Sequence, residues 1–292
     1  MKHLIKIDHV TKSFKNKKGI FDLSLEVDAG QVMGFIGPNG AGKSTTIRHL
    51  MGFLKADSGS LTINGYDCWQ EADRVKDKLG YLPGEIVFPS GLSAQDFLAM
   101  QGKIHHDPNP SRAQSLIERF HLNMDIPIPK MSKGMKQKLA LVACFMCDPD
   151  IIILDEPSTG LDPLMQEELI QLLKEEKAKG KTIFLSSHVL EEVERIADDI
   201  CIIKAGRIVK ELSIAELHAE MQDFLLVKLG DKEGLSPNLS GVEDLGNQTY
   251  RLALLGDCNH LVRELAQHDI LALDCEKVTL REIFQKYYGE GE

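Results

Sequence analysis

The chain has 292 residues, enough for one large domain or a full domain with a smaller companion, and its composition is that of a globular protein. A formal charge of -10 argues against an extended basic surface that wraps nucleic acid, so none is expected as a partner. Six scattered cysteines, a start unlike a signal peptide and no run near the ~20 apolar residues of a membrane span predict a soluble protein of the reduced cytosol, with any membrane role supplied by a partner.

From the N-terminus, "FDLSLEV" (21–27) and "QVMGFIG" (31–37) read as strands, and "KSTTIRHLMGFL" (43–54) repeats its apolar residues at helical spacing. Residues from about 86 to 147 carry few strand signals. "SAQDFLAMQGKI" opens there with a Ser-x-x-Asp cap and "PSRAQSLIERFHL" follows, so a helical insertion is predicted, with His105 and His106 in an exposed polar loop between them. Cys144 and Cys147 form a C-x-x-C inside the apolar "LALVACFMC", where cysteine acts as a small hydrophobe, and core packing is expected. "IIILDEP" (151–157) and "KTIFLSSH" (181–188) are short, branched and apolar on both faces, the mark of buried parallel strands. Between them "PLMQEELIQLLKEEKAKG" begins with proline and ends with lysines and glycine, as a helix should. "DICIIKAGRIVKEL" predicts a hairpin turning at Ala205 and Gly206, and "SIAELHAEM" a helix. Beyond about 213, strand-like "DFLLVKL", "YRLALL" and "DILALDC" mix with helical "CNHLVRELAQH" and "TLREIFQKYY", a small α+β region.

Three stretches carry chemistry. "GPNGAGKST" fits the G-x-x-x-x-G-K-[ST] pattern between a predicted strand and a predicted helix, the context a phosphate-binding loop requires. Its glycines let backbone N–H groups turn inward around phosphate oxygens, and the helix start adds a favourable dipole. Gly37, Pro38, Asn39, Gly40, Ala41, Gly42, Lys43, Ser44, Thr45 and Thr46 are therefore candidate nucleotide-binding residues, with Lys43 on the β and γ phosphates and Ser44 on magnesium. The bland alternative is a glycine-rich turn. An apolar strand ending in Asp155 places a second ligand for magnesium, and Glu156 beside it can orient or deprotonate a water. Taken alone, this acidic pair reads equally well as a solvated turn. His188 follows another strand, where imidazole can donate to a γ-phosphate oxygen or serve as a structural hydrogen-bonder.

These stretches, with "MSKGMKQK" (131–138) and "LSSH", occur in the order and kind seen in ATP-binding cassette (ABC) ATPases. The chain resembles the separately encoded ATPase subunits of bacterial exporters that serve drug, peptide or antibiotic-resistance systems, closely over residues 1 to about 215. The resemblance implies an α/β fold with a P-loop NTPase core of ABC type, a helical subdomain at about 86–147, and a C-terminal accessory α+β domain at 216–292. It implies an ATPase that takes ATP and Mg2+, pairs with a second copy, and drives a polytopic permease subunit from the cytoplasmic face of the membrane. In the family the signature segment acts on ATP held by the other subunit, so Ser132 and Gly134 would act in trans. Phe14 matches the aromatic that stacks on adenine, although a buried core phenylalanine is the plain alternative. Asp162 matches the loop that crosses the dimer interface.

The segment departs from the commonest family form at Lys133 and Met135, and "GYLPGE" puts Gly84 where relatives carry a glutamine, with Glu85 next. Glu85 is the candidate to replace that glutamine. Residues 84 to 104 match the groove that receives a short helix of the permease, and "EIVFPSGL" is apolar enough either to line it or to be core. Two rivals share the motifs: a soluble ABC protein acting on ribosomes or DNA, and a regulatory module that closes on ATP with little turnover. The first lacks its second cassette or long coiled coil here; the second is opposed by Glu156 and His188 and left open by Gly84.

Overall fold

The computed structural model describes residues 3–15, 18–105, 109–220, 223–230, 235, 241–254, 258–277, 282–283 and 287. His106 and most of "TLREIFQKYY" lie outside the described residues. The chain divides into two compact units, Met1–Ile214 and Ala215–Glu292.

In chain order the first unit runs β1 (His3–Ser13), β2 (Gly19–Asp28), β3 (Val32–Ile36), α1 (Lys43–Leu50), β4 (Ser58–Ile63), β5 (Tyr66–Asp67), α2 (Ala72–Lys76) and β6 (Leu79–Leu82). There follow α3 (Ala94–Ile104), α4 (Pro110–Arg119), a 3-10 turn and α5 (Lys133–Phe145), then β7 (Ile151–Asp155), α6 (Pro163–Ala178), β8 (Thr182–Ser187), α7 (Leu190–Glu194), β9 (Asp199–Lys204) and β10 (Arg207–Ser213). The six-stranded sheet has the order β10-β9-β3-β8-β7-β6, parallel except for β10. All residues of β3, β7 and β8 are buried, which explains why they read as continuous apolar runs rather than alternating ones.

"FDLSLEV" lies in a different sheet. It forms β2 of the antiparallel order β2-β1-β4-β5, whose alternating burial in β1 and β2 shows one face turned inward. That face joins Ile5, Ile7, Leu23 and Leu25 to Phe35, Ile47 and Phe184 in one core cluster, with the Phe35 and Phe184 ring centroids 5.3 Å apart. The helix predicted over 43–54 stops at Leu50 because the chain turns at Gly52 (φ +65°), where a Cβ would stand 2.2 Å from the Cys68 carbonyl oxygen. Strands β1, β4, β5 and β6 are short or half-exposed, and their sequence signal is correspondingly weak.

Between β6 and β7 the elements are helical, and Ser93 caps α3 in a capping box with Asp96. Cys144 is buried in α5 and Cys147 half-buried just beyond it; burial pushes the Cys144 thiol far up, the state of an inert core cysteine. The β9–β10 hairpin turns at Ala205 (φ 48°) and Gly206 (φ 78°), both left-handed as a two-residue hairpin needs.

The second unit contains α8 (Ile214–Glu220), which begins at the boundary, then β11 (Phe224–Leu229), β12 (Val242–Gly246), β13 (Thr249–Ala253), α9 (Asn259–Leu265) and β14 (Ile270–Glu276). Its antiparallel sheet, ordered β12-β13-β11-β14, carries a small cluster of Val227, Leu229, Leu252, Leu261 and Leu265.

Candidate active site

The carboxyl ends of β3, β7 and β8 lie side by side, with Ile36 opposite Ser187 and Asp155 opposite Ser186. Ligands of open parallel sheets gather at such ends. The loop after β3 turns through Gly40 (φ +81°) and Gly42 (φ +115°), a backbone that L side chains rarely adopt. A Cβ at Gly37 would stand 2.5 Å from the Ile203 carbonyl oxygen, so this loop is closed against β9 by the absence of a side chain. Gly42 caps α1 with no side-chain hydrogen bond, which leaves the first N–H groups of that helix to an anion. Pro38, Asn39 and Gly40 are exposed, Ala41 is buried, and Ser44 and Thr45 are half-exposed. Thr46 differs from the expectation. It is fully buried, and both its N–H and its hydroxyl donate to the Gly42 carbonyl, so it braces the loop from inside instead of offering a donor to a ligand.

Lys43 is 6 % exposed, and its ammonium meets the Gly37 carbonyl at 2.5 Å and Glu156 Oε1 at 3.0 Å. Glu156 sits just past β7 at φ 53°, an unfavourable region for a side-chain-bearing residue. Its N–H donates to both the carbonyl and the hydroxyl of Ser186, which fixes that turn, and Glu156 Oε2 meets His188 Nδ1 at 2.5 Å. One cluster thus joins Lys43, Glu156 and His188, three residues spread over 146 positions of sequence.

Asp155 is 3 % exposed, and Ser186 Oγ donates to its Oδ1 at 2.6 Å. Its Oδ2 faces Gly84, where a Cβ would stand at 2.9 Å. Position 84 is therefore the one that looks at this carboxylate, and here it has no side chain; Glu85 is exposed one residue on. The Asp155 carboxylate and the Ser44 hydroxyl are hard oxygen donors, the kind that suits magnesium. Ser186 was not singled out in the sequence, although it stands inside "LSSH"; a serine one residue short of a strand end carries no signal until β7 and β8 are paired.

Ser132 is the exposed N-cap of α5, its hydroxyl accepting from the Met135 N–H at 3.2 Å. Gly134 packs so closely on the turn after Glu156 that a Cβ would stand 2.7 Å from the Gly160 carbonyl oxygen. The aliphatic stem of Lys133 lies over Gly160, and buried Gln137 donates to the Pro157 carbonyl at 2.8 Å. Asp162 closes the same turn as the N-cap of α6, accepting from the Met165 N–H at 3.0 Å. Phe14 is 40 % exposed, outside the core. Away from this cluster, Phe53, Tyr81, Val87, Phe88 and Phe97 line a cleft of about 640 Å³ beside α3, with Val87 88 % exposed. "EIVFPSGL" is thus an irregular segment lining a groove and not a core strand.

Residues 20–159 match the family described as ABC transporter. The chain is 35 % identical over 221 residues to the daunorubicin resistance ATP-binding protein DrrA3 of Streptomyces coeruleorubidus, spanning 74 % of this chain and 70 % of that protein. It is 32 % identical over 235 residues to the bacitracin transport ATP-binding protein BcrA of Bacillus licheniformis, 80 % of this chain and 77 % of the relative. Among solved structures, the ATP-binding subunit of an ABC transporter superposes with a TM-score of 0.69 at 31 % identity, over 74 % of this chain and 92 % of the other. A dimeric cassette bound to ADP and phosphate superposes with a TM-score of 0.64 at 21 % identity, over 72 % and 98 %. The chain belongs to the ATP-binding proteins of ABC transporters, and it is an ATPase.

Proposed function

We propose that this protein powers export through a separate polytopic permease, as one of two copies that close around two Mg-ATP at the cytoplasmic face of a membrane. The observation that carries the catalytic reading is the Lys43–Glu156–His188 cluster at the end of the parallel strands. Gly37 to Thr45 would cradle the triphosphate, with Thr46 supporting the loop, and Phe14 would offer its exposed ring to adenine. Ser44 and Asp155 would hold magnesium, which when bound neutralises charge on the phosphates. The Lys43 ammonium meets Glu156; a γ-phosphate would compete for it and leave the carboxylate to accept a proton from the attacking water. His188, half-exposed beside it, would donate to a γ-phosphate oxygen.

The exposed Ser132 and the helix start at Gly134 suit a phosphate presented from outside the copy, which supports their action in trans on the neighbour's ATP. Glu85 is assigned no contact with the magnesium site, since position 84 is the one directed at Asp155. The apolar cleft beside α3 is the surface offered to the permease. Similarity to resistance and transport proteins for daunorubicin and bacitracin supports export of drug-like or peptide cargo. No helix among the described residues is long and apolar enough to cross a membrane.

Steady-state hydrolysis by Glu156→Gln tests the catalytic assignment. Turnover is expected to fall at least ~10²-fold, the usual worth of a general base, while ATP binding stays intact and ATP-bound dimers persist on gel filtration. Equal rates for variant and wild type would remove Glu156 from that role.

A further inference from the structure

The turn that follows Glu156 is held by a second side-chain pair. Ser158 is 7 % exposed, and its hydroxyl donates to Glu192 Oε2 at 2.6 Å. Ser158 stands two residues after Glu156, and Glu192 four residues after His188 on α7. The Glu156–His188 and Ser158–Glu192 contacts are therefore successive rungs between the same two segments, one from the end of β7 and one from the end of β8. Helix α7 is a fixed frame for its rung. The side chain next to Glu192, Val193, is wholly buried against Gly34 of β3, where a Cβ would stand 2.1 Å from Val193 Cγ1. The turn is contacted from its other side too, by Gln137 on the Pro157 carbonyl and by Gly134 beside Gly160. Ser158 sits between those contacts, so it joins the start of α5 to α7 through the turn itself.

We propose that Ser158 and Glu192 form a positioning clasp that sets the Glu156 carboxylate relative to His188, and that hydrolysis depends on the clasp although ATP binding does not. Glu156 needs such support because its backbone is in a left-handed conformation, which persists only where neighbours over-determine it. Burial raises the Glu192 carboxyl above its ordinary value and the Ser158 hydroxyl draws it back, the behaviour of a carboxyl retained for its hydrogen bond in a half-buried site. Released from Glu192, the turn loses its side-chain tie to α7 and keeps its contacts with Ser186 and α5, and a general base displaced by a fraction of an ångström loses its alignment with the water.

The clasp rests on the reading of Glu156 as the catalytic base, and the experiment separates the two. Steady-state ATP hydrolysis is measured on the full-length chain for Ser158→Ala, Glu192→Ala, the double variant, Glu192→Gln and Glu156→Gln, with thermal melting to establish that each is folded. The clasp predicts that kcat falls about tenfold in Ser158→Ala and in Glu192→Ala, within the ~10²-fold that misplacement of a catalytic group can cost, while KM for ATP moves less than about twofold. The double variant should be no worse than either single one, because one bond is removed in all three. Glu192→Gln keeps an oxygen that accepts the Ser158 proton and should recover most of the loss. Multiplying losses in the double variant, a fall confined to kcat/KM through KM, or a glutamine variant as poor as alanine would each overturn the clasp. Unchanged kcat in Glu192→Ala beside a strong loss in Glu156→Gln would overturn it alone. Full turnover in Glu156→Gln would overturn the assignment of the base, and the clasp with it.

Discussion

His49, on α1 directly behind the phosphate loop, is 1 % exposed, with Nδ1 2.7 Å from the Thr45 carbonyl. That oxygen can only accept, so Nδ1 carries the proton, and Nε2 is buried with no hydrogen-bond partner among the described residues. A second proton would place an unpaired charged donor in the core, and burial accordingly holds the imidazole below its ordinary value of 6.5. The folded pKa lies under the unfolded one. Stability from this residue is therefore complete above about pH 6.5 and is lost as pH falls toward the folded value, by about 1.4 kcal/mol for each unit of difference. The melting temperature of the wild type is expected to drop between pH 7.5 and 5.5 more steeply than that of His49→Gln. Parallel curves in differential scanning fluorimetry would show that His49 takes no part in acid sensitivity. Asp155 and Glu156 both depend on hydrogen bonds to Ser186, a residue outside the "IIILDEP" stretch that carries them.

Helices α4, α5 and α6 are joined by charges of very different worth. Arg112 of α4 donates to the Phe145 carbonyl at the end of α5 and to Glu176 of α6, both at 2.8 Å, and Glu176 is 0 % exposed. Lys179 also meets Glu176 at 2.8 Å. Arg119, about two turns further on α4, meets Glu168 and Glu175, which are 39 % and 54 % exposed. Removing one partner of a buried pair leaves an uncompensated charge and costs about 3–5 kcal/mol, whereas exposed pairs contribute about 0–1 kcal/mol. Arg112→Ala is thus expected to lose about 3 kcal/mol in urea unfolding, the low end because Lys179 remains, and Arg119→Ala about 1 kcal/mol or less. Equal losses would mean that burial of Glu176 does not set the strength of this joint. The joint matters because α5 is capped by Ser132 and α6 by Asp162, the two residues proposed to face the second copy.

At the scale of the molecule, the two units have separate cores of unequal size. The cluster of the first extends from Ile5 to Ile203 and includes the fully buried rings of Phe35 and Phe184, whereas the described cluster of the second has five buried residues. A small core supplies little surplus over conformational entropy. Calorimetry of the full chain is expected to show two transitions, with the 215–292 unit melting first, and saturating ATP is expected to raise only the later one, since a ligand stabilises the unit that binds it. A single transition raised as a whole by ATP would show that the units unfold together.

Motif chemistry was legible in this sequence because each motif is contiguous. A phosphate loop needs glycines and a lysine at fixed spacing, and a strand that ends in two carboxylates announces itself in seven letters, so Lys43, Ser44, Asp155, Glu156 and His188 could be nominated one by one. Capping and turn residues were legible for the same reason, as Ser93, Ala205 and Gly206 illustrate. What the letters could not express is adjacency across the sheet. That Lys43 rests on Glu156, that Ser186 holds Asp155, that Gly84 looks at a carboxylate 71 positions later, and that Ser158 meets Glu192 all follow from the order and register of β3, β8, β7 and β6. Side-chain type and spacing along the chain are local properties, which the sequence determines by itself; distance between segments is set only when parallel strands pair and bury their apolar faces, and at this site that distance decides the chemistry.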